Sequence, residues 1–375
     1  MGKYSYLDVF AGETKVGTLA LYKNSLAAFE YSEEWLNTGF SISPYSLPLQ
    51  KKVFMPKAEP FDGLFGVFAD SLPDGWARLL VDRMLIKSGE NPETVSPLER
   101  LAIVGDSGVG LLSYRPAVKF AETAVTDDYD RYAEQCRKIL ASEWPEDLDE
   151  LFALGSSSGG ARPKVFTRYN GEAWIVKFPS SFDPADIGEQ EYRYIKCAKR
   201  CGIRTPDAKL FPSANCSGYL GVKRFDRRTE KDGRESRIHM ISVSGLLETS
   251  HRVPALDYNS LMALTMQLTK NYKEAEGMFR LMCFNVFAHN RDDHSKNFSF
   301  LYDNGWQLAP AYDLTYSSSI GGEHATCING NGADPGMQDL LKVGEKIKLS
   351  AAFCRETAEE IQEKVYEDLS EYLER

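Results

Sequence analysis

The stretch "AHNRDDHSKNFSF", residues 288–300, decides how this chain folds and what it can do. It places two His, two Asp and two Asn between a helix-like apolar segment and a strand-like one. Three interpretations are open here: a metal-ligand cluster, the polar end of a buried helix, or the catalytic loop of a phosphotransferase. Only the third requires further parts elsewhere in the chain, so the rest of the sequence can test it.

Length and charge limit the classes of protein. A chain of 375 residues exceeds what one hydrophobic core usually organises, so we expect two or three lobes. Hydrophobic residues make up 43% and charged residues 26%, which is ordinary for a globular protein with a sizeable core. The formal net charge of -10 argues against broad non-specific binding to nucleic acid or anionic membranes.

The sequence gives no sign of export. The N-terminus lacks the cationic start and apolar run of a signal peptide, and no apolar run approaches the length of a membrane span. The seven Cys are an odd number without CxxC pairs, and Cys197 and Cys201 read as partly buried thiols on a helix. We therefore expect a cytoplasmic protein with reduced thiols and no membrane association.

Patterning predicts four segments and an α+β fold. Residues 1–117 begin with a β-hairpin around Gly12 and form a small α+β unit. Residues 118–150 are an acidic helical connector. Residues 151–245 are β-rich, with a Gly-rich loop followed by two strands joined by an Asn-Gly turn. Residues 246–375 are mostly helical.

The metal interpretation rests on His289, Asp292, Asp293 and His294, which are ligand-type residues. Zinc sites usually draw ligands from one helix face, at positions such as i and i+4, whereas this cluster follows the helix end. The structural alternative is a helix terminus in which Asp and Asn cap backbone groups.

The phosphotransferase interpretation finds its remaining parts. A kinase-like catalytic loop has a base Asp five residues before a metal-binding Asn, and Asp292 and Asn297 have this spacing. A hairpin then leads to Asp313 at a strand end, where a second metal-binding Asp is expected. Asp292 would accept the proton of an incoming hydroxyl, while Asn297 and Asp313 offer the hard oxygen ligands that Mg²⁺ prefers.

Upstream residues supply the nucleotide contacts. Lys177, in "AWIVKFP", is flanked by apolar residues and could neutralise phosphates, paired with Glu191 or, as runner-up, Glu189. The loop "GSSSGGARPK" is not a Walker A motif because Ala161 stands where Lys should be, but its small residues allow backbone N–H groups to approach phosphates. The segment "GVKRFDRR" suits a strand and hinge.

Together these motifs resemble the HipA-type toxin kinases, the serine/threonine kinases of bacterial toxin–antitoxin modules. "FADSLPDGWARLLVDR" and "LAIVGDSGVGLLSYRP" are similar to the family's N-terminal subdomain. "SSGGARPKVF", "WIVKFP", "GVKRFDR", "DDHSKNFSF" and "LAPAYDL" are similar to its kinase core. The resemblance covers nearly the whole chain and implies a small α+β N-terminal subdomain followed by a two-lobed, protein-kinase-like core with a mostly helical C-terminal lobe.

The resemblance also implies residue roles. Asp292 matches the catalytic base, and Asn297 and Asp313 match the Mg²⁺ ligands. The residues expected to contact ATP are Ser158, Gly159, Gly160, Ala161, Arg162, Lys164, Lys177, Glu191, Lys223, Arg224, Phe225, His294, Asn297, Tyr312 and Asp313. Family members autophosphorylate a Ser in the loop, which ejects the loop and silences the enzyme. Ser157 stands at that place, with Ser156 and Ser158 beside it.

The function implied is that of an ATP- and Mg²⁺-dependent serine/threonine protein kinase, the toxin of a type II system. The partners implied are a HipB-type helix-turn-helix antitoxin, DNA reached only through it, and an aminoacyl-tRNA synthetase as substrate. Two alternatives stay open: a catalytically idle kinase fold that binds an antitoxin and its DNA complex, and a small-molecule or lipid kinase.

Overall fold

A computed structural model describes residues 4–23, 25–118, 126–155, 157, 159–318 and 320–374. These residues form two compact units. The first contains residues 1–188 and 210–249, and the second contains residues 189–209 and 250–375. The four-part division expected from the sequence stays a prediction, and residues 119–125 of the expected connector lie outside the described residues.

The first unit holds two larger sheets and the helices around them. Its elements, with β8 contributing its last two residues, are β1 Tyr6–Ala11, β2 Thr14–Tyr22, β3 Leu26–Tyr31, α1 Glu33–Thr38, β4 Val53–Phe54, α2 Gly66–Ala69, α3 Trp76–Lys87, α4 Pro97–Val104, β5 Leu112–Arg115, α5 Tyr129–Leu140, α6 Leu148–Gly155, β6 Lys164–Tyr169, β7 Glu172–Lys177, β8 Ala208–Phe211, β9 Tyr219–Lys223, β10 Arg227–Thr229, β11 Glu235–Arg237, β12 His239–Ser242 and α8 Val243–Leu247. A single turn of 3₁₀ helix covers Pro92–Thr94.

Short hairpins account for part of the strand order in both sheets, and longer connections bring β5 beside β1 and β9 beside β7. The N-terminal sheet has the order β4-β3-β2-β1-β5, and β1 and β2 form the expected hairpin around Gly12. The second sheet has the order β6-β7-β9-β8, and the Asn-Gly turn predicted from the sequence joins β6 to β7. Asn170 and Gly171 both have positive φ (52° and 78°), as a two-residue hairpin turn of this kind requires.

One hydrophobic core joins the N-terminal helices to the second sheet. It is formed by buried side chains of α3, α5, α6 and the strands β6 and β7, among them Trp76, Leu80, Tyr132, Ile139, Leu151, Phe152, Val165, Trp174 and Val176. Each such side chain contributes about 1.5–3 kcal/mol on burial. The N-terminal domain and the β-rich segment are therefore parts of one folded body.

The second unit is mostly helical. Its elements are α7 Ile187–Arg200, which begins in the first unit, β13 Leu256–Asp257, α9 Tyr258–Thr269, α10 Tyr272–Phe287, β14 Ser299–Tyr302, β15 Trp306–Leu308, β16 Thr326–Cys327, α11 Met337–Lys346 and α12 Ala351–Leu373. Single turns of 3₁₀ helix cover Ser295–Asn297 and Ile320–Gly322. Helix α10 is buried on most sides and packs against α9, α11 and α12. It ends at Phe287, directly before the polar stretch of residues 288–300.

The cysteines and the apolar character of the helices were two expectations from the sequence. The seven cysteines are all free thiols, and Cys197 and Cys201 are fully buried rather than partly buried. Within the described ranges, no helix has both the length and the apolar character that crossing a membrane requires.

Candidate active site

The predicted catalytic loop leaves α10 and presents one carboxylate to solvent. The side chain of Asp292 is 60% exposed, and Nε2 of His294 lies 3.7 Å from its Oδ1. Five residues later, Nδ2 of Asn297 donates a hydrogen bond to the backbone carbonyl of Asp292 at 2.7 Å. This bond turns the amide nitrogen of Asn297 toward the loop and leaves Oδ1 as the atom available to a cation.

The neighbouring carboxylate, Asp293, is 1% exposed and fully hydrogen-bonded. Its Oδ1 accepts from the backbone N–H of Thr326 at 3.1 Å. Its Oδ2 lies 3.0 Å from Nδ1 of His324 and accepts from the hydroxyl of Tyr258 at 3.1 Å. The Tyr258 hydroxyl in turn accepts from Nδ2 of Asn285 in α10. Burial, together with the charge of Asp293, raises the pKa of Tyr258 well above its ordinary value, so Tyr258 remains a donor.

Backbone hydrogen bonds fasten the loop to the segment that follows Asp313. The N–H of Ser317 donates to the carbonyl of His289, and that of Ala325 donates to the carbonyl of Arg291, both at 3.0 Å. The hydroxyl of Thr326 donates to the carbonyl of Asp293 at 2.5 Å. Because the loop is held at both ends, Asp292 stands on a fixed backbone although its own side chain is exposed.

The hairpin β14–β15 leads to the second predicted metal ligand. Ser299, the first residue of β14, lies 2.6 Å through its Oγ from the hydroxyl of Tyr312, and that hydroxyl donates to the carbonyl of Lys296 at 2.6 Å. Asp313 follows with φ of 52°, a left-handed conformation that is uncommon for a residue with a side chain. Such backbone outliers cluster at functional sites.

The nucleotide loop predicted in the first unit has its own fixed contacts. Ser157 is 3% exposed, and its hydroxyl donates to the carbonyl of Ser107 at 2.9 Å. The carbonyl of Gly160 accepts from the N–H of Trp76 at 3.0 Å. The ammonium group of Lys164, itself buried, donates to the carbonyl of Gly159 at 2.5 Å. The predicted residues Ser156 and Ser158 lie outside the described residues.

Arg162 extends the loop toward a carboxylate. Its guanidinium forms a two-pronged pair with Asp183, with both N–O distances at 3.0 Å. Burial raises the pKa of Asp183, but hydrogen bonds from Ser180 and the positive charge of Arg162 outweigh it and hold the pKa below its ordinary value. Ala161, between Gly160 and Arg162, is exposed.

The predicted phosphate lysine and hinge lie on the second sheet. Lys177 ends β7 and stands opposite Lys164 in the β6–β7 register. The ammonium group of Lys223, at the end of β9, pairs with Glu172, and the N–H of Arg224 donates to the carbonyl of Ala173 at 2.9 Å. Phe225, the third hinge residue, is half-buried.

The side chain of Arg224 enters a buried cluster that the sequence did not indicate. Arg224 and Arg227 both pair with the carboxylate of Asp226, which is 2% exposed. Burial alone would raise the pKa of Asp226, yet the two guanidinium groups hold it well below its ordinary value. Arg237 donates to the carbonyl of Gly110 at 2.9 Å, and the N–H of Gly110 donates to Asp226 at 2.7 Å.

The structure thus brings together some of the predicted residues within each unit, with Lys164 and Lys177 opposite each other in the first. In the second unit it joins Asp292, His294 and Asn297 on one loop. Glu191, the predicted partner of Lys177, is buried at 3% exposure in α7 and belongs to the second unit, so its pairing stays a prediction.

A resident metal cluster of the kind first considered is not supported. Among the described residues, no group of three or more His, Cys, Asp or Glu side chains is placed to hold a metal ion. The two predicted ligands, Asn297 and Asp313, would each offer one oxygen instead. That set fits Mg²⁺, which keeps several waters and takes one or two protein ligands together with substrate phosphates.

Comparison with protein-family models shows the family to which the chain is related. The model of the HipA-like C-terminal domain matches residues 156–369, and the model of the HipA N-terminal domain matches residues 7–115. The chain therefore belongs to the HipA family, as its motifs indicated.

Relatives and solved structures agree with this. The chain is 35% identical over 351 residues to Y4mE of Sinorhizobium fredii, which is named as a kinase, covering 82% of this chain and 76% of that protein. It is 23% identical over 341 residues to the serine/threonine-protein kinase toxin HipA of Shewanella oneidensis, covering 82% and 74%. A solved complex of HipA, HipB and operator DNA from Shewanella oneidensis MR-1 matches with a TM-score of 0.70 at 19% identity, covering 98% of this chain and 90% of that one. The expected α+β HipA fold is confirmed.

Proposed function

We propose that this chain is an ATP- and Mg²⁺-dependent serine/threonine protein kinase and the toxin of a type II toxin–antitoxin system. The observation that carries the proposal is the predicted catalytic loop, in which an exposed Asp292 is followed by a buried Asp293 and receives on its carbonyl a hydrogen bond from Asn297. A carboxylate that must meet a protein substrate has to be accessible and yet accurately placed, and this loop meets both requirements.

Asp292 would accept the proton of the incoming hydroxyl and orient its oxygen toward the γ-phosphate. In phosphoryl transfer the protein contributes mainly positioning and electrostatic stabilisation. The hydrogen bond from Asn297 to the Asp292 carbonyl couples the base and a predicted metal ligand through one short turn.

Asn297, through Oδ1, and Asp313, through its carboxylate, would hold Mg²⁺. Held there, the ion would supply positive charge to neutralise the nucleotide phosphates. Lys177 would pair with the α- and β-phosphates, and the backbone of Gly159 to Lys164 would lie against the phosphates. Lys223 to Phe225 would border the adenine.

The partner we propose is a HipB-type helix-turn-helix antitoxin. The solved HipA neighbour is a complex with HipB and operator DNA, which supports this choice. The net charge of -10 fits a toxin that reaches DNA through a basic partner rather than directly. The proposed substrate is a protein hydroxyl, and the family resemblance favours an aminoacyl-tRNA synthetase. A cytoplasmic location follows from these partners.

The deciding experiment compares the wild type with Asp292→Ala and, as matched control, Asp303→Ala in the β14–β15 turn. Each purified protein is incubated with ATP and Mg²⁺, its mass is measured, and ATP affinity is measured separately. We expect phosphate on the wild type and the control, none on Asp292→Ala, and similar ATP affinity for all three. Phosphorylation by Asp292→Ala at the wild-type rate would refute the role of Asp292. A wild type that binds no nucleotide would favour the idle binding module, and phosphate transfer only to lipids or small molecules would favour the small-molecule or lipid kinase.

A further inference from the structure

The predicted nucleotide loop of the first unit contacts the N-terminal family domain through one backbone group and one side chain. The carbonyl of Gly160 accepts from the N–H of Trp76, the first residue of α3, and the hydroxyl of Ser157 donates to the carbonyl of Ser107. Both partners, Trp76 and Ser107, lie within residues 7–115, which match the HipA N-terminal domain. These contacts fall on the loop rather than on the sheet behind it.

Gly75 makes the first contact possible. Its φ is +49°, and a Cβ built on it would lie 2.4 Å from the carbonyl oxygen of Gly160 and 2.9 Å from Cα of Ala161. Heavy atoms that are not bonded to each other cannot approach so closely, so any side chain at position 75 would push the loop away. Position 75 therefore requires glycine for its backbone and for the space that the loop occupies.

The second contact, between Ser157 and Ser107, is supported by hydrogen bonds to the loop that carries Ser107. Ser107 belongs to loop 106–110, and the carbonyl of Gly108 accepts from Arg224, Arg227 and Arg237 at 3.2, 2.6 and 2.9 Å. The carboxylate of Asp226, buried among these guanidinium groups, accepts a hydrogen bond from the N–H of Gly110. Hydrogen bonds to charged groups are among the stronger ones, so loop 106–110 is held rigidly.

The same cluster reaches the predicted adenine hinge, because Arg224 is the middle residue of 223–225. Loop 106–110 is thus connected on one side to the hinge and on the other, through Ser157, to the nucleotide loop. A displacement of loop 106–110 would alter both segments that are proposed to contact the nucleotide.

We propose that the N-terminal domain positions the nucleotide loop, and that Gly75 and the Ser157 hydroxyl are its positioning contacts. The effect on ATP rests on the proposed function, whereas the effect on the loop does not. Loss of either contact releases residues 159–164 and weakens ATP binding, and loss of the Gly75 contact leaves transfer at saturating ATP in place.

The test uses Gly75→Ala and the matched control Gly89→Ala in the full chain. Gly89, just past the other end of α3, also has positive φ (+78°), but a Cβ there meets nothing within 4 Å. Both variants place a Cβ on a residue with positive φ, and only the Cβ of Gly75→Ala would meet the loop. Amide hydrogen exchange is followed in peptides covering 153–166, and kcat and the KM for ATP are measured.

We expect faster exchange of the loop in Gly75→Ala only, with at least a tenfold rise in its KM for ATP and a kcat within about twofold of wild type. Equal loop exchange in the two variants would overturn the proposal, and so would a loss confined to kcat. If the wild type itself binds no ATP, faster loop exchange in Gly75→Ala still supports the positioning role while the proposed function fails.

A second pair of variants decides the matter if Gly75→Ala does not fold. Ser157→Ala removes the hydroxyl that donates to the Ser107 carbonyl, whereas Ser107→Ala keeps that carbonyl and removes a hydroxyl that donates to Val104. Each variant loses one side-chain hydrogen bond to a backbone carbonyl, and only the first bond joins the N-terminal domain to the loop. Faster loop exchange in Ser157→Ala alone supports the proposal, and the same exchange in both variants overturns it.

Discussion

Nδ1 of His324 lies 3.0 Å from Oδ2 of Asp293, and both side chains are buried. This contact joins the predicted catalytic loop to a residue that follows Asp313 in the chain. Asp293 is separated from Asp292 by one peptide bond, yet one carboxylate faces the core and the other faces solvent. Adjacent acidic residues in this loop therefore have different surroundings: Asp293 holds the backbone from the core, and the side chain of Asp292 is 60% exposed.

Replacing Asp293 should reduce turnover rather than ATP binding. Asp293→Ala leaves the Thr326 N–H, the Tyr258 hydroxyl and His324 without their acceptor, and a misplaced catalytic group costs about 100-fold in rate. We expect a fall in kcat of about that size with the KM for ATP within about twofold of wild type. Steady-state kinetics measure both, and Asp293→Asn should retain part of the activity because it keeps the shape and one acceptor. An unchanged kcat in a variant with lowered thermal stability would contradict the positioning role.

Replacing Asn297 should increase the Mg²⁺ requirement. Asn297→Ala removes the oxygen proposed to bind the ion, and even indirect changes at metal sites lower affinity by about 10–100-fold. We expect the Mg²⁺ concentration for half-maximal rate to rise by at least about tenfold. Initial rates against free Mg²⁺ measure this, with Asn37→Ala on α1 as control. Equal Mg²⁺ curves for both variants would remove Asn297 from the metal site.

Acid should destabilise the first unit through His239. Burial lowers the pKa of His239 to about 4, and its Nε2 contacts the carbonyl of Ile42 at 2.8 Å. Because the unfolded chain binds a proton near pH 6.5 and the folded protein does not, stability falls as the pH drops from about 6.5 to about 4. The loss is about 3 kcal/mol over that window. Denaturant unfolding at several pH values measures it, and a His239→Gln variant should lack this part of the pH dependence. A variant that follows the wild-type curve would exclude His239 as the cause.

Charge at Ser157 should weaken ATP binding. Ser157→Asp removes the hydroxyl that donates to Ser107 and places a carboxylate at a position that is 3% exposed. A phosphoserine would add roughly -1.5 to -2 charge at the same place. Leaving a buried charged group unsatisfied costs at least about 1–3 kcal/mol, which is about 5- to 150-fold in affinity. Titration with ATP should place Ser157→Ala between the wild type and Ser157→Asp. Normal ATP binding by Ser157→Asp would refute the proposed control by autophosphorylation.

The sequence indicates a candidate catalytic pair but not the contacts that hold its loop. Asp292 and Asn297 could be recognised because a fixed spacing of five residues carries the chemistry, and the strands around Gly12 and Asn170 because turn residues are local signals. Asp293 could not be assigned its role, because its partners Tyr258 and His324 are 35 and 31 residues away in the chain. Burial of a carboxylate depends on such distant contacts and leaves no local pattern.

The same limit applies to the first unit. In the sequence, Gly75 follows Pro73 and Asp74 in a segment typical of a turn, and only the approach of Gly160 shows why a side chain is excluded there. The cluster around Asp226 was likewise not predicted, since "GVKRFDRR" indicates a strand and hinge but not the burial of its charged side chains.

The arginines that donate hydrogen bonds to the Gly108 carbonyl lie more than a hundred residues further along the chain, and Arg237 is the last of them. During synthesis the N-terminal domain leaves the ribosome before these arginines have been translated. At that stage water hydrates the carbonyls of loop 106–110. Closure of that loop therefore marks the completion of the first unit, and a nascent chain shorter than about 240 residues cannot complete this anchorage.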